Sequence, residues 1–257
     1  MKTVLLEQMT SPQIVDAIEA GYHTAIVAAG SIEQHGRHIP TGMDTMLGYH
    51  LAVDIAKGLG DALVAPVIRP GCSDHHMSFA GTISIPAKLL QEICRAYCRA
   101  LCQHGFRRIA LIPTHGGNFG VMEEVASSID AELPCKVAYV NVLQDPKGFA
   151  AREQALAEWG TTMEEGGLHA GFFETSLLLA SDDRQWADME VAERGFVGDA
   201  LARVEELQAD GSWDIGDLSP IGVLGDPTRA SIEAGRALLE VQIPIFVEAV
   251  RKALDYE

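Results

Sequence analysis

The sequence predicts an α/β fold: a single α/β/α domain, residues 1–257, around a mainly parallel central sheet. Three observations lead there. Short apolar runs at 24–29 (TAIVAA), 63–67, 109–113 (IALIP) and 137–142 have the length and composition of buried strands. The segments between them leave room for helices, which is the βαβ rhythm of a parallel sheet. Hydrophobic residues make up 47% and charged residues 21%, the composition of a globular chain long enough to bury a sizeable core.

The elements follow in chain order. Ser11-Pro12 reads as an N-cap followed by proline at the first helical position, opening a short helix that stops near Gly21. Further helices are expected at about 45–58, 86–104 and 118–132, with Gly105 terminating the second of these. Gly225-Asp226-Pro227-Thr228 leads into a long helix over about 229–254. The segment 182–220 is acidic, carries Gly195, Gly198, Gly211 and Gly216, and has weak periodicity, so no elements are assigned to it. Cys94, Cys98 and Cys102 recur every four residues and stack on one helical face, where free cysteine packs as a small hydrophobe.

Composition also bounds function. The net charge of −17 repels a phosphate backbone and an anionic membrane surface, so neither nucleic acid nor membrane is an expected partner. No run approaches the ~20 apolar residues that span a bilayer, and the opening MKTVLLEQMTSPQ lacks the apolar stretch of a signal peptide. Five cysteines without zinc-ribbon pairing suit a reducing compartment. A cytoplasmic protein is expected.

Chemistry collects in three segments. Directly after TAIVAA comes GSIEQHGRHIPTGMDT, in which Glu33 and His35 project to one side of an extended stretch and Asp44 returns after the turn. Read by itself this is either a divalent-metal loop or a polar loop with Asp44 as the next helix's N-cap. After IALIP comes Thr114-His115-Gly116-Gly117-Asn118, again a histidine just past a strand, and two such loops on neighbouring strands favour a shared site. The third segment, GGLHAGFFETS, sets Glu174 about one turn from His169 if a helix begins near Ala170.

Together GSIEQHGRHIPTGMDT, THGGN, HAGFFETS and the later GVLGDP resemble the creatininase family of metal-dependent amidohydrolases over about residues 24–235. The resemblance implies an α/β/α fold, two divalent metal ions per chain (zinc, manganese or both) and a homohexamer. It implies Glu33, His35, Asp44, His115 and Glu174 as metal ligands, with Asp44 shared between the ions, and His169 as a proton-transfer residue. Three carboxylates, two divalent ions and one hydroxide sum to a neutral site, as the cost of uncompensated buried charge requires. The implied reaction is hydrolysis of a carbon–nitrogen bond in a small amide, cyclic or a formamide. Cleavage of short peptides is the alternative inside the family. Outside it stand a metal-dependent isomerase or lyase and a non-catalytic metal-binding protein.

Departures from the creatinine-hydrolysing pattern touch specificity. Gly117 occupies the place of a ligand carboxylate and Glu165 that of a tryptophan, with Trp159 the nearest candidate for a lid aromatic. His75 and His76 belong to a loop that approaches the active site in the family, and His76 is a candidate substrate contact. Arg37 is another, offering a planar fork to a carboxylate or phosphate, against the alternative of a surface ion pair. His23, His50 and His104 have no partner motif and are read as structural.

Overall fold

The computed structural model describes residues 2–181, 184–209 and 213–256; Asp182 and Gly211, part of the unassigned 182–220 segment, lie outside them. Four parallel strands form the sheet: β1 (Thr24–Ala29), β2 (Ala62–Val64), β3 (Arg108–Pro113) and β4 (Lys136–Tyr139), in the order β2-β1-β3-β4. The chain passes from β1 to β2 on one side and then crosses to β3 on the other. The crevice beyond the ends of β1 and β3 is therefore the switch point at which open α/β sheets bind ligands. The two strands end side by side, with Ala29 opposite Pro113.

Among the described residues the helices are α1 (Ser11–Glu19), α2 (Met43–Leu59), α3 (Ala87–Gln103), α4 (Phe119–Ile129), α5 (Pro146–Glu158), α6 (Met163–Gly166), α7 (Phe172–Ala180), α8 (Ala200–Ala209) and α9 (Ile232–Ala253). Strand side chains alternate between two cores. Ala25, Val27 and Ala29 pack with α1, α3 and α4, while Ile26 and Ala28 pack with α2 and α9 on the other face. Burial on both faces is why the strands read as continuous apolar runs. Cys94 and Cys98 lie in the buried stripe of α3, as the helical spacing predicts.

Several boundaries differ from the sequence reading for local reasons. Thr10, not Ser11, caps α1, and its N–H donates to the Gln13 side chain. β2 stops before Pro66, which has no N–H to give a ladder. α2 begins at Met43, so Asp44 is a buried residue of its first turn and not its N-cap. Ala170 takes a left-handed φ of 52° and Gly171 is extended, which delays α7 to Phe172. α5, which no strong apolar period marks, is opened by Asp145, whose carboxylate accepts from Lys147 and Gly148 N–H ahead of Pro146. No described helix is long and apolar enough to cross a membrane.

Candidate metal centre

The ends of β1 and β3 carry the first half of the site. Glu33 and His35 follow β1, Asp44 opens α2, and His115 follows β3; all four are buried. Asn118, wholly buried, binds these loops together: its Nδ2 donates to the Ala29 and Gly30 carbonyls (3.2 and 2.9 Å) and its Oδ1 accepts from Cys72 N–H (3.0 Å). Thr114 Oγ1 donates to the Asp44 carbonyl at 2.7 Å, joining the β3 end to α2.

The second half comes from the helical side. His169 pairs its backbone antiparallel with Leu224 of the GVLGDP segment, Leu224 N–H donating to the His169 carbonyl at 2.9 Å. One residue on, Ala170 N–H donates to Glu174 Oε2 at 2.6 Å, which aims that carboxylate back along the start of α7.

The two halves meet at Asp44. Its Oδ1 lies 3.3 Å from His35 Nε2, which is 3.8 Å from Glu174 Oε2. Its Oδ2 lies 3.3 Å from His115 Nδ1, which is 3.2 Å from Glu33 Oε2. One carboxylate thus faces two ligand groups, Glu33/Asp44/His115 and His35/Asp44/Glu174, each compact enough to hold an ion. Glu33 Oε2, His35 Nε2 and Asp44 Oδ2 are buried with no hydrogen-bond partner. Orphaned acceptors are costly, and a divalent cation satisfies them, so the residues present fit a metal pair.

Backbone carbonyls fix the imidazoles. A carbonyl only accepts, so the ring nitrogen facing it carries the proton: His35 Nδ1 toward Glu33 O (3.2 Å), His115 Nε2 toward Cys72 O (2.9 Å) and His169 Nε2 toward Gln34 O (2.7 Å). In its neutral form each ring then turns a bare nitrogen to the carboxylates. His169 Nδ1 lies 3.6 Å from Glu33 Oε1, and His169 also falls in a third compact group with Glu33 and His35.

Protons compensate these carboxylates when no cation does. Burial pulls the His35 pKa down, but Asp44 and Glu174 outweigh it and raise it to about 9. His115 is likewise raised well above the imidazole range, Glu33 overcoming the cost of burial. Burial lifts Glu174 to about 7. Burial and the neighbouring His35 and His76 hold His169 well below the usual range, which keeps it neutral.

The sequence itself matches a known family. The creatininase family model, described as creatinine amidohydrolase, matches residues 7–250. The chain belongs to the creatininase family, whose members are metal-dependent amidohydrolases. It is 30% identical over 237 residues, covering 88% of this chain and 84% of the relative, to a mycofactocin precursor peptide peptidase of Mycobacterium ulcerans. It is 26% identical over 272 residues (98% and 97%) to a creatinine amidohydrolase of Pseudomonas putida. A solved manganese creatininase superposes with a TM-score of 0.80 at 24% identity, covering 98% of this chain and 99% of that one.

Within this creatininase-family site the remaining candidates part ways. A Cβ at Gly117 would lie 2.0 Å from the Cys72 carbonyl, so this backbone has no room for a ligand carboxylate there, and Glu174 approaches from α7 instead. His76 is buried, its Nε2 3.3 Å from Glu33 Oε1. Arg37 is not brought to the cluster: its side chain is 69% exposed and 3.7 Å from Glu193. Trp159 caps the C-terminus of α5 and packs with the α5, α7 and α9 core, its carbonyl accepting from Arg229. His23, His50 and His104 belong to none of the compact ligand groups among the described residues. Two features had no signal in the sequence. Trp213 stacks on His75, which stacks on His115 (ring centroids 5.1 and 5.6 Å apart), so part of the unassigned segment walls the centre. The other is Gln34, whose side chain lies between His76 and His169.

Proposed function

We propose that the chain, acting as one catalytic domain, hydrolyses the carbon–nitrogen bond of a small amide at a two-metal centre held by Glu33, His35, Asp44, His115 and Glu174. The observation that carries this reading is the division of Asp44, one oxygen toward each ligand group. Two divalent cations bound there, zinc or manganese by donor type, would lower the pKa of a bound water toward neutrality and offer positive charge to the amide carbonyl oxygen. The chain's own contribution is proton transfer. His169, neutral with its Nε2–H on the Gln34 carbonyl, offers Nδ1 to take the proton of the attacking water and deliver it to the leaving nitrogen. Glu33 Oε1, 3.6 Å from Nδ1, stabilises the imidazolium formed between those two transfers.

The substrate class is a cyclic amide, a formamide or a short peptide. The peptide reading draws on the mycofactocin precursor peptide peptidase relative and on the replacement of the creatininase ligand position by Gly117. A panel of the three classes, assayed with zinc-loaded and manganese-loaded protein, separates them. Hydrolysis of one class, lost on chelation and regained on metal addition, supports the proposal; turnover unaffected by chelation contradicts it. Incorporation of labelled water into product distinguishes hydrolysis from isomerisation or elimination. The same reading carries a cytoplasmic location and a homohexamer, the latter checked by light scattering.

A further inference from the structure

Gln34 lies between two ligands in the sequence, yet its side chain neither titrates nor ligates. It is buried, and two backbone groups of fixed polarity orient its amide. Gly36 N–H donates to Oε1 at 2.9 Å, and Nε2 donates to the Gly222 carbonyl at 3.0 Å. Gly222, at φ +72°, is what admits the amide: a Cβ there would lie 2.0 Å from Oε1. With that polarity set, the 3.0 Å contact between Gln34 Nε2 and His76 Nδ1 has the amide donating and the imidazole accepting. Gln34 Nε2 is also 3.0 Å from His169 Nε2, but that nitrogen donates to the Gln34 carbonyl, leaving the amide hydrogens to His76 and Gly222.

The consequence sets His76 apart. His35, His115 and His169 are each backed by a carbonyl, so that in the neutral ring the bare nitrogen faces inward. His76 is backed by a donor, so its proton is on Nε2, the atom 3.3 Å from Glu33 Oε1. The other Glu33 oxygen, Oε2, is the orphaned one facing His115 Nδ1.

We propose that Gln34 is a positioning residue that holds His76 as the Nε2–H tautomer, so that His76 engages Glu33 Oε1 and reserves Oε2 as the single oxygen Glu33 gives to a cation. The cation belongs to the two-metal reading above; the tautomer does not depend on it.

The test is 15N solid-state NMR of histidine-labelled protein, metal-free and zinc-loaded, with zinc affinity measured by chelator competition. His76 is assigned by its disappearance in His76→Phe. In the wild type His76 should show a pyrrole-type Nε2 and a pyridine-type Nδ1 in both states; a pyrrole-type Nδ1 overturns the proposal without any variant. Gln34→Met, and Gln34→Glu as the same shape without the amide donor, should each change the His76 tautomer and weaken zinc by about 10–100-fold, the range for residues behind a ligand. An unchanged tautomer in a folded Gln34 variant, or a changed tautomer with wild-type zinc affinity, overturns it. Neither readout needs a substrate, so failure of the hydrolase reading leaves this test standing, and the reverse holds too.

Discussion

Glu33, His35, Asp44 and His115 stand at the ends of two adjacent parallel strands, where Asn118 and Thr114 stitch the loops to the sheet. His169 and Glu174 reach the same point from outside the sheet, on a segment paired with Leu224, packed through α7 against α9 and turned by Ala170 and Gly171. The strand half therefore presents orphaned acceptors on a rigid base, which suits holding cations. The helical half presents one further acceptor and one neutral imidazole, which suits completing the site and moving protons.

Removing Asp44 should have the largest effect, because its two oxygens face the two ligand groups. Asp44→Ala should lower metal content below one ion per chain and abolish turnover, read by elemental analysis and assay together. In the helical half the two residues should separate. His169→Ala should keep its metal and lose about 10²–10⁴-fold in kcat, the range for general acid–base catalysis. Glu174→Ala should lose metal along with activity. Loss of metal in His169→Ala would place that residue among the ligands.

The next effect is one of pH. In the metal-free protein His35 is raised to about 9, so the folded chain keeps a proton that the unfolded chain releases near 6.5. The stability this confers is complete below about 6.5 and lost as pH rises through 9. The Tm of metal-free protein should fall between pH 7 and 9.5, whereas metal-loaded protein, its protons already displaced, should hold its Tm over that interval. Equal falls in both forms would mean the imidazole protons do not compensate the carboxylates.

Arg37→Met should have the smallest effect. His35 is wholly buried while Arg37, two residues along, is an exposed partner of Glu193. The substitution should change stability by no more than about 0.5 kcal/mol and leave KM for anionic and neutral amides alike. A rise in KM confined to anionic substrates would bring Arg37 back to the substrate.

The contrast between the halves also marks what the sequence could disclose. The apolar runs announce the strands, and ligand-type residues just past two of them favour a shared site, because strand ends follow from periodicity; the order that makes β1 and β3 neighbours at a switch point does not. Glu174 needed the family pattern, since its carboxylate is aimed by a left-handed Ala170 that no period encodes. Arg37 is a candidate by residue type and Trp159 by the family's lid aromatic; the exposure of one and the packing of the other depend on distant segments that no period encodes. Trp213 was hidden for the same reason: an acidic, glycine-bearing stretch gives no period, and only its stacking on His75 ties it to the centre. Gln34 was silent because its part is to set hydrogen-bond polarity, and that depends on Gly222, far along the chain.

The most direct test of the centre is a crystal structure of metal-loaded protein with anomalous scattering recorded at the zinc and manganese edges. Two peaks are predicted, one among Glu33 Oε2, Asp44 Oδ2 and His115 Nδ1, the other among Asp44 Oδ1, His35 Nε2 and Glu174 Oε2, with His169 Nδ1 coordinated to neither. A single peak in fully active protein would contradict the two-metal centre, and a peak ligated by His169 Nδ1 would contradict proton transfer by His169.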